Sequence, residues 1–237
     1  MGATPQVLKI PELEAETGLI HGFSTMALGS VGLTHAPDPA PVLASRRDFA
    51  RALGIDGETL TTAGAVHGAA VARVDEPHEV VRGVDAMVTA KLGVALFATF
   101  ADCYPIVLWD ARNRCAALAH AGWRGTVAGV ATATVKFMRD EFGTTPGDIR
   151  AGIGPGICRQ CYEVGEDVAS RFDSRFVTPG SGDRALLDLA AANRAQLEAA
   201  GVRDVHVLGL CTKETPYLPS HRRSPDGTRF GAIVALR

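Results

Sequence analysis

The chain has 237 residues, 46% hydrophobic and 21% charged, which suits one folded unit with a buried core and excludes a charge-dominated disordered segment. A formal net charge of -2 removes any bulk electrostatic reason to expect nucleic acid or a membrane surface as partner. No apolar run approaches the roughly 20 residues of a bilayer span. The opening Met1–Gln6 has no basic segment leading into an apolar one, so no secretory signal is expected. Five cysteines, dispersed and odd in number, do not read as a disulfide framework, so a reducing cytoplasm is the expected location, with thiols free for metal or catalysis.

In chain order, residues 18–25 read as a strand and 29–41, rich in glycine and proline, as a loop. Val42, Phe49 and Leu53 place a helix over 41–53, stopped by Gly54. Residues 61–74 alternate loosely, as two short strands or one strand bent at Gly68. The apolar runs 85–89 and 94–99 suit buried strands. Pro105 lacks a backbone donor and should open its strand or lie on an edge. Strands over 106–110 and 115–119 follow, joined by a turn. Val127, Val130, Ala131, Thr134 and Met138 share a helical face and predict one helix over 126–142, ended by Gly143. Residues 149–153 and 205–210 read as strands, 154–162 as turns and 163–172 as helix. Asp188 caps a helix that runs through Ala200 to a stop at Gly201. The chain closes on a strand over 230–236. The expectation is one α+β domain over 1–237, with mixed β-sheet layers and flanking helices.

Two segments carry the chemistry. Cys103 follows the 94–99 run, and His120 ends the 115–119 run. Neighbouring strands would bring this ionisable sulfur and this imidazole together. A buried cysteine or histidine by itself is more often ordinary core. Asp102 beside Cys103, and Gly122-Trp123-Arg124-Gly125 after His120, are costly interior choices and suit an open rim where backbone approaches a ligand.

Residues 97–110 around Asp102-Cys103-Tyr104-Pro105, the run His120-Ala121-Gly122-Trp123-Arg124-Gly125 and the run Gly152–Val164 together resemble one family. It is described both as polyphenol oxidoreductase, or laccase-like, and as multifunctional purine nucleoside phosphorylase. The resemblance runs from about His21 to the C-terminus. It implies a zinc ion held by two histidines and a cysteine, which fall on His67, Cys103 and His120. Imidazole and thiolate suit zinc, and three protein ligands leave a fourth position open, the catalytic arrangement. Zinc lowers the pKa of water towards about 7, which would serve attack on the amino-bearing carbon of a purine. Copper also suits these donors.

The implied substrates are purine nucleosides such as adenosine, inosine and methylthioadenosine, with phosphate as co-substrate. Phosphorolysis and adenosine deamination are the expected activities, and a homodimer is compatible. Arg124 and the amides at Gly125-Thr126 are the candidates for the anion. Asp102 would orient a ligand or move a proton, or simply cap a strand end. Arg222 and Arg223 match a family segment near the substrate, or form a solvated charged loop. Arg46, beside Arg47, matches a family Asn-Arg pair in part. Ala65, Met26 and His221 stand where the family usually carries Gln, Arg and Tyr. Losing a guanidinium at Met26 would weaken anion binding.

Two other enzyme readings remain. Cys103 activated by His120 could act as a metal-free nucleophile on amino-acyl cell-wall precursors. A copper-dependent polyphenol oxidase of the multicopper kind needs a mononuclear site plus a trinuclear cluster held mainly by imidazole, and seven scattered histidines are too few. Cys158-x-x-Cys161 without a partner pair reads as structural, and Cys115 and Cys211 read as core. His21, His35, His78 and His206 read as surface or satisfied core.

Overall fold

The apolar runs become the central strands of two stacked six-stranded sheets in a computed structural model that describes residues 4–34 and 36–237; His35 lies outside the described residues. The first sheet runs in the order Val7–Leu8, Leu19–Ser24, Phe230–Leu236, Ala95–Phe100, Leu60–Gly64, Val80–Arg82. The second runs Asp204–Val207, Arg150–Ile153, Tyr104–Asp110, Cys115–Ala121, Ala86–Thr89, Val71–Arg73. Both mix parallel and antiparallel pairs.

Side chains alternate across a strand, so each sheet has two apolar faces to cover. Leu96, Ala98, Phe100 and Phe230 of the first sheet pack with Met87, Val107, Trp109 and Leu118 of the second. The opposite parity faces outward. Phe97 and Ile233 meet Phe49 of the helix Pro39–Ala52, and Val88, Ile106, Ala117 and Ala119 meet Val130, Val135 and Met138 of the helix Val130–Phe142. The result is four layers, helix–sheet–sheet–helix, in agreement with the α+β expectation. Strands buried on both faces read as continuous apolar runs, which is why 104–110 and 115–121 are apolar almost throughout.

Two elements differ from the sequence expectation. The single helix over 126–142 is two, Trp123–Val127 and Val130–Phe142, broken at Gly129, whose φ of 81° interrupts the helical ladder. Residues 163–172 hold only a short helix, Glu166–Ala169. Glu163–Val164 instead pairs with Ala185–Leu187 in a small three-stranded sheet completed by Val177–Pro179. The 61–74 stretch holds two short strands, one of the two expected readings, and they lie in different sheets: Leu60–Gly64 belongs to the first and Val71–Arg73 to the second. Residues 65–70 therefore cross between the sheets, and His67 lies on that crossing. Pro105 sits at the start of its strand, opposite His120, and its carbonyl accepts the Gly154 N–H at 2.9 Å.

Candidate active site

Three segments meet where the inter-sheet layer opens. Cys103 lies in the bend between Ala95–Phe100 and Tyr104–Asp110, His120 lies near the end of Cys115–Ala121, and His67 comes from the crossing. Their ligand atoms all lie within 4.8 Å of one another. The His67 and His120 rings sit 4.9 Å apart, edge to face at 74°, and Phe100 backs His120 at 5.2 Å.

Asp85 organises this group. It is 1% exposed and precedes the buried strand Ala86–Thr89. Its carboxylate accepts backbone N–H groups from Val66 at 3.2 Å, His67 at 2.8 Å and Gly68 at 2.7 Å. It also meets His120 Nδ1 at 3.2 Å, and its backbone carbonyl accepts the His120 N–H at 2.7 Å. One carboxylate thus shapes the loop carrying one histidine and orients the ring of the other, leaving His120 Nε2 free for a cation. A carboxylate behind a ligating imidazole is the usual way to set tautomer and ring direction. Burial alone would raise the Asp85 carboxyl, but the bonds from His120, Gly68 and Val66 outweigh it and hold the group below the usual range.

The backbone is strained at this place. His67 has φ 61° and Asp102 has φ 82°, left-handed conformations that cost on the order of 1–3 kcal/mol for residues other than glycine. The three N–H bonds to Asp85 hold the first. The second is held by Asp102 itself, whose carboxylate accepts from Thr212 Oγ1 at 2.6 Å and from the Arg222 N–H at 2.7 Å. Gly122 is required by space: a Cβ there would lie 2.8 Å from Cys103 Sγ and 3.1 Å from the His67 ring.

Burial alone would raise the Cys103 thiol, yet the charge of His120 and hydrogen bonds from His120 and His67 outweigh it and hold the thiol below its usual range. Burial alone would lower His120, and Cys103 and Asp85 outweigh that in turn. Two imidazoles and a thiolate-prone sulfur at one point form a donor set that fits zinc, with copper as a second fit.

The remaining site residues divide. Burial pushes the Tyr162 hydroxyl well above its usual range; Cys103 and Asp102 add to the rise while Arg222 and Arg124 oppose it. Arg124 stacks on Trp123 at 4.4 Å. Arg222 lies over Tyr162 at 5.2 Å and donates to the Glu163 carbonyl. Arg46 is not brought to this place. It donates to the Val31 carbonyl and lies over Phe97, on the helix-covered face of its strand. Arg223 is exposed, and its guanidinium donates to the carbonyls of Thr212, Lys213, Thr215 and Leu218. The amides at Gly125-Thr126 do not open a helix. The helix starts at Trp123, and the Thr126 N–H is already bonded to the Gly122 carbonyl at 2.8 Å.

Cys115 is core, as expected, whereas Cys211 gathers with Cys158, Cys161 and Glu214. His21 is a buried acceptor for the Ile10 N–H, His206 pairs with Asp204 and Glu12, and His78 is exposed. A cavity of about 470 Å³ lined by Trp109, Asp110, Arg112 and Arg150 lies at the other end of the Tyr104–Asp110 strand, away from these groups. Sequence reasoning missed Asp85. The available signal for Asp85 was an acidic residue set directly before a fully apolar run.

Fold and site together define a four-layer α+β protein with a three-donor His-Cys-His centre at the sheet rim. The profile of the family described as multi-copper polyphenol oxidoreductase laccase matches residues 17–237, and the chain belongs to that family. It is 40% identical over 231 residues to a purine nucleoside phosphorylase of Deinococcus radiodurans, covering 91% of this chain and 88% of the relative. It is 38% identical over 188 residues to adenosine deaminase RL5 from an unknown prokaryotic organism, covering 72% and 71%. The crystal structure of YlmD from Geobacillus stearothermophilus superposes with a TM-score of 0.92 at 30% identity, over 100% of this chain and 98% of that one. No helix among the described residues is long and apolar enough to cross a membrane.

Proposed function

We propose that this chain is a purine nucleoside phosphorylase with adenosine deaminase activity, working at a zinc centre held by His67, Cys103 and His120. The observation that carries the reading is the meeting of these three side chains, behind one buried carboxylate, in a chain closely similar to enzymes of those two names. Zinc held by His67, Cys103 and His120 would supply Lewis acidity and lower the pKa of bound water towards neutrality. Copper in the same cradle would allow incidental oxidation.

The protein's own groups do the rest. Asp85 fixes His120 in the tautomer that presents Nε2 and shapes the loop that presents His67. Gly122 keeps the space beside the sulfur open. Arg124, on the helix that follows His120, and Arg222, whose backbone N–H binds Asp102 beside Cys103, suit the anion of a phosphate near the anomeric carbon. Tyr162 keeps its proton at neutral pH and can donate a hydrogen bond to a departing purine. Asp102 acts by position, since both of its oxygens are engaged by Thr212 and Arg222.

The test is product analysis of adenosine turnover with and without phosphate. Adenine with ribose 1-phosphate supports phosphorolysis, and inosine with ammonia supports deamination. Neither product, with turnover of amino-acyl precursors that survives chelation, would instead support the metal-free Cys103–His120 nucleophile.

A further inference from the structure

The turn after Gly156 and the turn after Leu210 come together through an isolated parallel bridge between Gly156 and Cys211. Reciprocal backbone bonds frame it, from the Gly156 N–H to the Leu210 carbonyl at 3.2 Å and from the Thr212 N–H to the Gly156 carbonyl at 3.0 Å. A single helical turn, Arg159–Cys161, puts Cys158 and Cys161 on one side. Cys211 and Glu214 arrive from the other segment. The donor atoms of all four lie within 4.8 Å of one another. All three cysteines are free thiols.

We infer that Cys158, Cys161, Cys211 and Glu214 form a second, structural site for a zinc ion, separate from the His67–Cys103–His120 centre. The C-x2-C spacing is the ordinary way one turn offers two sulfurs to zinc, and three thiolates with a carboxylate complete a closed tetrahedral set. The Cys158 N–H points at Cys211 Sγ at 3.4 Å, a donor aimed at a sulfur that carries negative charge when ligated. The Glu214 carboxylate faces the Cys158 and Cys161 thiols at 3.9 and 3.5 Å. Four groups that all become anionic converge here, and a soft divalent cation resolves their repulsion. Zinc entry displaces the thiol protons to solvent with no change of oxidation state.

The place in the fold gives the ion a purpose. Thr212, next to Cys211, holds the Asp102 carboxylate, and Arg223 binds the carbonyls of Thr212, Lys213 and Thr215. Tyr104, next to Cys103, donates its hydroxyl to the Ile157 carbonyl beside Cys158. A cation tying residues 158–161 to 211–214 therefore braces the wall of the active site without touching substrate.

The experiment is metal counting on the purified full chain after dialysis against zinc chloride and then buffer. Wild type should keep two zinc ions per chain. The double variant Cys158→Ser/Cys211→Ser should keep one, and His67→Ala should keep one. Wild type with a single ion that His67→Ala removes overturns the second site and leaves the first. Two ions retained in the double serine variant also overturn it. A measurement on unmutated protein covers poor folding of the variant: alkylation of Cys158, Cys161 and Cys211 in the zinc-loaded chain should stay blocked until a chelator is added. Immediate alkylation, or a Cys158–Cys161 disulfide in that preparation, overturns the inference.

Discussion

The two clusters of soft donors in this molecule differ in composition and in what closes them. His67, Cys103 and His120 offer two imidazoles and one sulfur, backed by a buried carboxylate that touches both histidine segments. Cys158, Cys161, Cys211 and Glu214 offer three sulfurs, and their carboxylate takes the fourth corner itself. Three donors with a free vertex suit chemistry, and four donors without one suit bracing. The backbone agrees with this division. Of the three left-handed residues other than glycine among the described residues, His67 and Asp102 lie at the first site and Arg114 in a distant turn, whereas the second site is framed by ordinary bridge bonds.

The sharpest way to break the comparison is Cys103→Ser. Loss of that sulfur should cost at least about a thousandfold in kcat/KM, roughly 4 kcal/mol of barrier, with unchanged circular dichroism. Retained turnover would mean that the first cluster is not the reactive one. Asp85→Asn comes next. It keeps the size of the side chain and weakens the hold on His120 and the 66–68 loop, so zinc affinity or turnover should fall by roughly 10- to 100-fold. Metal titration would reveal a wild-type affinity if Asp85 were merely a strand cap.

Arg124→Gln should raise the KM for phosphate by about tenfold, near 1.4 kcal/mol, and leave deamination of adenosine unchanged. Equal loss in both reactions would argue for a structural role on Trp123. The smallest effect belongs to a reference residue outside both clusters. Burial first of all, then the charge of Lys9, lowers His21 from 6.5 to about 4. As pH falls through that window the unfolded chain takes up a proton that the folded chain refuses, so stability drops. Between pH 6.5 and 5.5 the drop should be about 1 kcal/mol. His21→Gln, still able to accept the Ile10 N–H, should flatten it in urea titrations. Parallel pH profiles for the two proteins would refute that assignment.

The layers of the fold were legible because doubly covered strands are apolar without interruption, as in 104–110 and 115–121. Cys103 and His120 were legible as chemistry from their flanks, and His67 through family resemblance. Asp85 was not, because a carboxylate before a strand looks like a turn residue until the 66–68 loop folds over it. The halves of the Cys158–Cys211 group lie 53 residues apart, and they meet through the parallel pairing of Arg150–Ile153 with Asp204–Val207 and the Gly156–Cys211 bridge beyond it. Helical periodicity across 126–142 concealed the break because Val127 and Val130 keep step while Gly129 turns left-handed. The bonds from Arg223 to loop carbonyls were not legible, because no residue pattern announces a carbonyl partner.

The most direct test is an anomalous difference map at the zinc edge from crystals of the full chain grown with zinc and phosphate. The account predicts a peak among His67 Nε2 or Nδ1, Cys103 Sγ and His120 Nε2, with the fourth position taken by solvent or phosphate. An absent peak there, or a fourth protein side chain completing the sphere, would contradict it.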